Sequence, residues 1–290
     1  MSDAEPNGPR FHLVDVFATE RYAGNQLAVV ESRGRLADDE MAAVAAEFDF
    51  SETTFVESLD PDPTVRIFTP EGEIPFAGHP TLGTAAVVRS LTGTSGTTTL
   101  DLGVGPVPVR PRDGALWMTQ AEPTFGPEPD PAALADVLGL PDDAVAGPPQ
   151  VVSTGLPTVV VPLVSRAALT DVALDRDAYD ALVDACGAKN VLAFCRDPRD
   201  PANDIAARVF APAHGVPEDP ATGSSNGCLA AHLARREGTV AARVEQGHEM
   251  GRPSRLGIEA ETDGDGVTVR VGGRVVPVGR GRLHRPDQGI

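Results

Sequence analysis

The chain has 290 residues, 41% of them hydrophobic, enough for two domains with buried cores. A formal net charge of -18 argues against a nucleic-acid partner, and no apolar run reaches the length that crosses a bilayer. Three cysteines without Cys-x-x-Cys spacing, and histidines that form no ligand cluster, argue against a disulfide scaffold or a metal site and for a reduced, cytoplasmic protein.

The start of the chain is polar, with no basic region ahead of an apolar core, so no signal peptide is expected. Leu13–Phe17 and Leu27–Val30 read as strands, the second entered through Ala23-Gly24-Asn25-Gln26. Asp38–Phe48 has an acidic start and apolar residues at helical spacing. Ser51-Glu52 leads into a strand over Thr53–Val56, and Val65–Thr69 is the next. Ala77-Gly78-His79-Pro80 is a glycine turn that opens a small-residue helix over Thr81–Arg89. The proline-rich stretch Glu122–Pro131 marks a boundary between domains 1–124 and 125–290, the last strand being a candidate to return to the first domain. Beyond it come helices over Ala132–Leu138, Ala178–Cys186 and Asn226–Arg236, and strands over Thr158–Pro162, Val191–Phe194 and Val267–Val271. Many short strands with few helices predict an α+β fold.

The two halves repeat. Arg66-Ile67-Phe68-Thr69-Pro70 returns as Arg208-Val209-Phe210-Ala211-Pro212. Each is followed by a glycine turn and a small-residue helix, Ala77-Gly78-His79-Pro80 in the first copy and Thr222-Gly223-Ser224-Ser225 in the second. Ala23-Gly24-Asn25-Gln26 is echoed by Thr154-Gly155-Leu156-Pro157. A period of about half the chain predicts two pseudo-symmetric domains and excludes a solenoid. Each copy offers a helix N-terminus, whose free N–H groups and positive dipole end suit a carboxylate. Domains that face each other would bring both helix starts to one cleft. Neither turn fits a nucleotide loop.

Three residues are acid–base candidates. Glu52 enters a β-rich run, where partial burial would raise its pKa into a useful range; its plain alternative is a strand-end surface residue. His79 lies in the first glycine turn and is otherwise a helix-start residue. Asp219 precedes the second turn and is otherwise a turn-forming Asp before proline. Cys228, inside a small-residue helix, reads as a buried structural thiol. Ser224 and Ser225 lack the surroundings of a hydrolase serine. The single lysine, Lys189, and the acidic excess suit a surface adapted to high salt.

The chain resembles the PhzF-like phenazine-biosynthesis family along nearly its whole length. The resemblance is carried by Asp15-Val16-Phe17 with Gly24-Asn25, by Ser51–Val56, by Arg66–Pro70 and by Pro75–Thr84. Phe210-Ala211-Pro212, Glu218–Ser224, Gln246-Gly247 and Gly251–Arg255 carry it in the second half. It implies the two-domain diaminopimelate-epimerase fold, each domain a mixed or antiparallel sheet around a central helix. It also implies a homodimer with no cofactor and no metal. The reaction it implies is isomerisation of a small cyclic carboxylic acid resembling trans-2,3-dihydro-3-hydroxyanthranilate, with Glu52 as the acid–base residue. His79 and Asp219 join Glu52 as catalytic candidates, and Gly78, Thr222, Gly223 and Ser224 are the substrate-binding candidates. Epimerases of this fold use a cysteine at each helix start. Ala77 and Thr222 stand there, which disfavours two-base racemisation. Gln26 and Ser225 depart from the family's usual Pro and Ala. The alternatives are a hydroxyproline-type dehydratase or amino-acid epimerase of the same fold, or a small-molecule binding protein without chemistry.

Overall fold

The computed structural model describes residues 8–60, 62–264 and 266–284. The chain divides into two compact units, Met1–Met118 with Arg274–Ile290 and Thr119–Gly273.

In the first unit, β1 (Arg10–Val16), β2 (Asn25–Glu31), β3 (Thr53–Val56), β4 (Val65–Thr69), β5 (Gly72–Ile74) and β18 (Val275–Arg282) form one sheet in the order β18-β1-β2-β3-β4-β5. β2 and β3 are parallel and the other neighbours antiparallel. β2 and β3 are buried with almost no alternation because both their faces are covered. On one face, α1 (Asp38–Phe48) buries Met41 and Ala45 against Val30, Phe55 and Phe68. The other face holds α2 (Gly78–Thr92), where a side chain at Gly83 would run into Leu27, Val16 and Val14. The absent side chain lets α2 close onto β1 and β2. β6 (Thr98–Leu102), β7 (Gly105–Arg112) and β8 (Ala115–Thr119) form an antiparallel ladder, of which β6 and β7 reach α2.

The second unit repeats the plan. Its strands are β9 (Thr124–Phe125), β10 (Gln150–Ser153), β11 (Pro157–Pro162), β12 (Asn190–Cys195) and β13 (Ile205–Ala211), followed by β14 (Val216–Asp219), β15 (Val240–Gln246), β16 (Ser254–Asp263) and β17 (Gly266–Gly273). They run in the order β17-β16-β15-β13-β12-β11-β10-β9, with β14 on β13. The parallel pairs are β11 with β12 and β13 with β15. The central helix is α6 (Gly223–Glu237), which touches β10, β11, β12, β15, β16 and β17. The opposite face carries α3 (Pro131–Leu138), α4 (Arg166–Asp171) and α5 (Arg176–Cys186), whose Leu134, Leu169 and Tyr179 share a core with Val159, Val191 and Phe210.

Each unit is therefore a sheet wrapped on a central helix, as the family resemblance implies. Both central helices begin earlier than their small-residue runs suggest: α2 at Gly78 and α6 at Gly223. The glycine turns are thus the first helical turns. Among the described residues, no helix is long and apolar enough to cross a membrane.

Candidate active site

In the first unit, parallel pairing puts the starts of β2 and β3 at the same edge of the sheet, since Ala28 lies beside Thr53. Asn25 opens β2 and Glu52 immediately precedes β3. The start of α2 comes to that edge because Thr84 is hydrogen-bonded to Thr54 of β3 at 2.8 Å. His79, the second residue of α2, then lies between the two: its Nε2 is 3.5 Å from Glu52 Oε2 and its Nδ1 is 3.4 Å from Asn25 Nδ2. The His79 and Glu52 side chains are 6% and 16% exposed. Burial holds the imidazole pKa down at about 3, against a smaller opposing effect of a Gln26 backbone hydrogen bond. His79 is thus neutral at ordinary pH, and its contact with Glu52 joins a neutral ring to a carboxyl group and is no ion pair.

The same helix start is left uncapped. Ala77, extended at φ -149° and ψ 145°, is the N-cap and has no side chain that accepts a hydrogen bond. Its carbonyl is taken by Thr81 N–H at 3.3 Å and by Thr81 Oγ1 at 2.7 Å. Pro80 has no N–H, so the first-turn donors without a partner inside the helix are those of Gly78 and His79.

In the second unit, Asp219 ends β14 and Thr222 is the N-cap of α6. The Thr222 hydroxyl does not cap the helix; it donates to Asp219 Oδ2. Gln246, the last residue of β15 and fully buried, grips this turn. Its Nε2 donates to the Asp219 carbonyl at 2.7 Å, and its Oε1 accepts from Asn226 Nδ2 at 2.8 Å and Thr222 N–H at 3.3 Å. Gly247 follows at φ +77°, where a side chain would collide with the carbonyls of Pro220 and Arg252. Only glycine lets the chain pass so close to the turn. On the other side, Gln120 Nε2 donates to the Gly223 carbonyl at 3.0 Å. The first-turn N–H groups of Gly223, Ser224 and Ser225 have no partner within the helix. Cys228, one turn on, is fully buried, and burial pushes its thiol pKa up, which fits an inert core thiol.

The arginine of the repeated motif has a definite job. In β4, Arg66 makes a bidentate contact with Glu73 of β5, at 2.8 and 2.6 Å. In β13, Arg208 does the same to Glu218 of β14, at 2.8 and 2.8 Å. Each arginine thus braces the strand that delivers the chain to a helix start.

The sequence-predicted residues fall into two sets: Glu52, His79 and Gly78 in the first unit, and Asp219, Thr222, Gly223 and Ser224 in the second. Sequence reasoning missed Asn25, Gln246 and the two Arg–Glu braces as parts of the site. The recurring Arg-x-Phe-x-Pro motif was a signal for the braces. Gln246 stands out in sequence only as part of the Gln246-Gly247 stretch that the family resemblance includes, with no role attached.

Strand register aligns the units residue by residue. Phe68 faces Thr53 as Phe210 faces Val191, and Ala28 faces Thr53 as Val159 faces Val191. On this alignment Glu52 corresponds to Asn190, Asn25 to Leu156 and His79 to Ser224. Asn190 is buried and its Nδ2 donates to Ser225 Oγ at 3.4 Å. The second unit has no carboxylate where Glu52 stands in the first.

Comparison with known proteins identifies the family and the fold. The family model described as phenazine biosynthesis-like protein, PhzC-PhzF, matches residues 14–281. The trans-2,3-dihydro-3-hydroxyanthranilate isomerase of Pseudomonas aeruginosa is 38% identical over 286 residues, covering 95% of this chain and 99% of that protein. A PhzF-family phenazine biosynthesis protein of Bacillus anthracis superposes with a TM-score of 0.88 at 25% identity, covering 96% of this chain and all of that one. A hydroxyproline epimerase of Agrobacterium vitis, TM-score 0.57 at 13% identity, shares the fold alone. The chain belongs to the phenazine-biosynthesis-like family and is a PhzF-like isomerase.

Proposed function

We propose that the chain moves a proton on a small cyclic carboxylic acid of the trans-2,3-dihydro-3-hydroxyanthranilate type, with Glu52 as the acid–base residue. The observation that carries this reading is the buried Glu52–His79 pair, 3.5 Å apart, at the start of α2. A carboxyl group that is only 16% exposed exchanges protons at lower solvation cost than a surface one, and the neutral imidazole beside it adds no fixed charge. Glu52 takes the proton from the substrate carbon and returns it at a second position, while the substrate's own conjugation spreads the charge. His79 orients the substrate and relays protons. Asp219 takes a substrate hydroxyl or amine, and the turn Thr222, Gly223 and Ser224, with Gly78 in the first unit, takes the carboxylate through helix-start N–H groups. No cofactor or metal is called on, because one carboxyl group with a conjugated substrate suffices for the transfer.

The test is solvent-deuterium incorporation into trans-2,3-dihydro-3-hydroxyanthranilate in D2O. The wild-type chain labels product at carbon, and Glu52→Gln does not. Label appearing at the wild-type rate in that variant overturns the mechanism.

We further infer a cytoplasmic homodimer with an acidic, salt-adapted surface. Three free cysteines, the net charge and the family resemblance support it. A monomeric sedimentation mass, or a melting temperature that fails to rise from low to molar salt, would count against it.

A further inference from the structure

The turn that opens α6 is held by a polar trio, Asp219, Thr222 and Gln246. Strand register identifies its counterpart in the first unit. Ile67 faces Ile74 as Val209 faces Asp219, so Ile74 corresponds to Asp219 and Ala77 to Thr222. The parallel bridge of Thr64 to Asp101 matches that of Ala206 to Glu245, so Leu102 corresponds to Gln246. Three polar residues in one unit are three apolar residues in the other.

Both sets have the same result: the helix start carries no side-chain cap. In the first unit alanine cannot cap. In the second, threonine is a good capping residue and its extended backbone, φ -112° and ψ 96°, suits a cap. The chain does cap other helices. Asp130 accepts from Ala132 N–H, Ser165 from Ala168 N–H and Asp175 from Ala178 N–H. At α6 the Thr222 hydroxyl instead donates to Asp219 Oδ2, and its Oγ1 accepts from Gln246 Nε2 at 3.3 Å. Gln246 also holds the Thr222 N–H and the Asp219 carbonyl, which fixes the backbone of the turn, and a swing of the hydroxyl onto the first turn would break its bonds to Asp219 Oδ2 and Gln246 Nε2.

We infer that Gln246 is a positioning residue: its amide keeps the Thr222 hydroxyl on Asp219 and off the first turn of α6, so that the Gly223–Ser225 N–H groups stay open to the substrate's carboxylate. The inference rests on the reading that this turn holds that carboxylate. It assigns the buried amide a part in affinity, with no contact to the reacting atoms.

The experiment compares wild type, Gln246→Glu, and Gln246→Glu combined with Thr222→Ala. Each is titrated with 3-hydroxyanthranilate, a stable aromatic analogue, and with 2-aminophenol, which lacks the carboxylate; KM and kcat follow with the dihydro substrate. The glutamate keeps an acceptor for Asn226 and removes the donor that holds the hydroxyl. Gln246→Glu is expected to weaken 3-hydroxyanthranilate binding and raise KM about tenfold with kcat within about threefold, the pattern of lost uniform binding. Adding Thr222→Ala removes the hydroxyl that closes the turn and recovers most of that loss, which a merely structural role for Gln246 would not produce. Gln246→Met, of similar length, repeats the test if the added charge disturbs folding. Unchanged binding in the single variants, or a loss that Thr222→Ala does not recover, overturns the inference while leaving the carboxylate reading intact. Equal wild-type affinity for 3-hydroxyanthranilate and 2-aminophenol overturns the carboxylate reading itself.

Discussion

The two units share a plan and differ in what they place on it. At the start of the third strand of the repeat, the first unit has Glu52 and the second has Asn190. Where His79 stands in the first, Ser224 stands in the second. Around the helix start, Ile74, Ala77 and Leu102 of the first unit correspond to Asp219, Thr222 and Gln246 of the second. Duplication supplied two equivalent helix starts, and sequence divergence gave the carboxyl group proposed for proton transfer to one and the polar turn to the other. A symmetric pair of thiols would serve racemisation, in which each face of a stereocentre needs its own base. A single carboxyl group beside a neutral imidazole serves a reaction in which one group removes and returns the proton.

The largest effect should come from the strand-start pair. Glu52→Gln is expected to lower kcat about a thousandfold with an unchanged melting temperature, the scale of a lost acid–base group. Asn190→Ala, at the corresponding position, should do the reverse: it loses one buried hydrogen bond, about 1 kcal/mol, and leaves kcat within about threefold. Comparable kcat losses from both would show that the two positions are not functionally distinct.

The Arg–Glu braces test whether the shared motif has equal structural weight. Arg208 is buried, and besides Glu218 it donates to the carbonyls of Leu169, Thr170 and Val172 at the end of α4. Arg208→Ala strands a largely buried carboxylate and should cost about 3–5 kcal/mol in urea unfolding. Arg66 is 23% exposed and its partners Glu73 and Asp38 are 44% and 81% exposed. Arg66→Ala should therefore cost only about 0.2–1 kcal/mol.

Buried histidines make a third comparison, with one in each unit. Burial lowers the pKa of both His79 and His232 to about 3, from an ordinary value of 6.5. The unfolded chain takes up these protons as pH falls through about 6.5, and the native chain does not until near 3. Stability is therefore complete above about pH 6.5 and is lost as pH falls below it, by up to about 1.4 kcal/mol per pH unit for each histidine. His232→Gln should remove one such slope between pH 6 and 4 in urea midpoints, and the His79 slope should remain.

Much of this was legible in sequence because it repeats. The Arg-x-Phe-x-Pro motif and the glycine turns revealed the duplication, and α1 read correctly because its acidic start and helical spacing agree. Other elements hide their pattern. β7 alternates outward and inward only from Gly105 to Val109, and it contains Pro106, Pro108 and Pro111, residues that ordinarily argue against a strand. α4 has six residues, too few for periodicity to declare itself. In the candidate site, Glu52 and His79 were named through the family resemblance, and the structure brings them to 3.5 Å. Gln246 was given no role, because its partners Asp219, Thr222 and Asn226 lie at least twenty residues earlier in the chain and only the pairing of β13 with β15 brings them near. Asn25 was visible as part of a repeated turn but not as a neighbour of Glu52 and His79, since parallel pairing alone puts the start of β2 beside that of β3.

The smallest expected effect bears on the feature that the two units share. Ala77→Ser supplies a hydroxyl at the start of α2, where it can accept from a first-turn N–H as Ser165 does at α4. A cap of this kind stabilises by about 0.5–2 kcal/mol, so thermal unfolding of the free protein should move upward. The same hydroxyl occupies donors proposed to hold the substrate's carboxylate, so KM should rise as stability rises. Ser165→Ala provides the contrast: a loss of about 1 kcal/mol with unchanged KM, because α4 caps only itself. A stabilised Ala77→Ser enzyme with wild-type KM would show that the open start of α2 is a structural accident and that only α6 uses its first turn for binding.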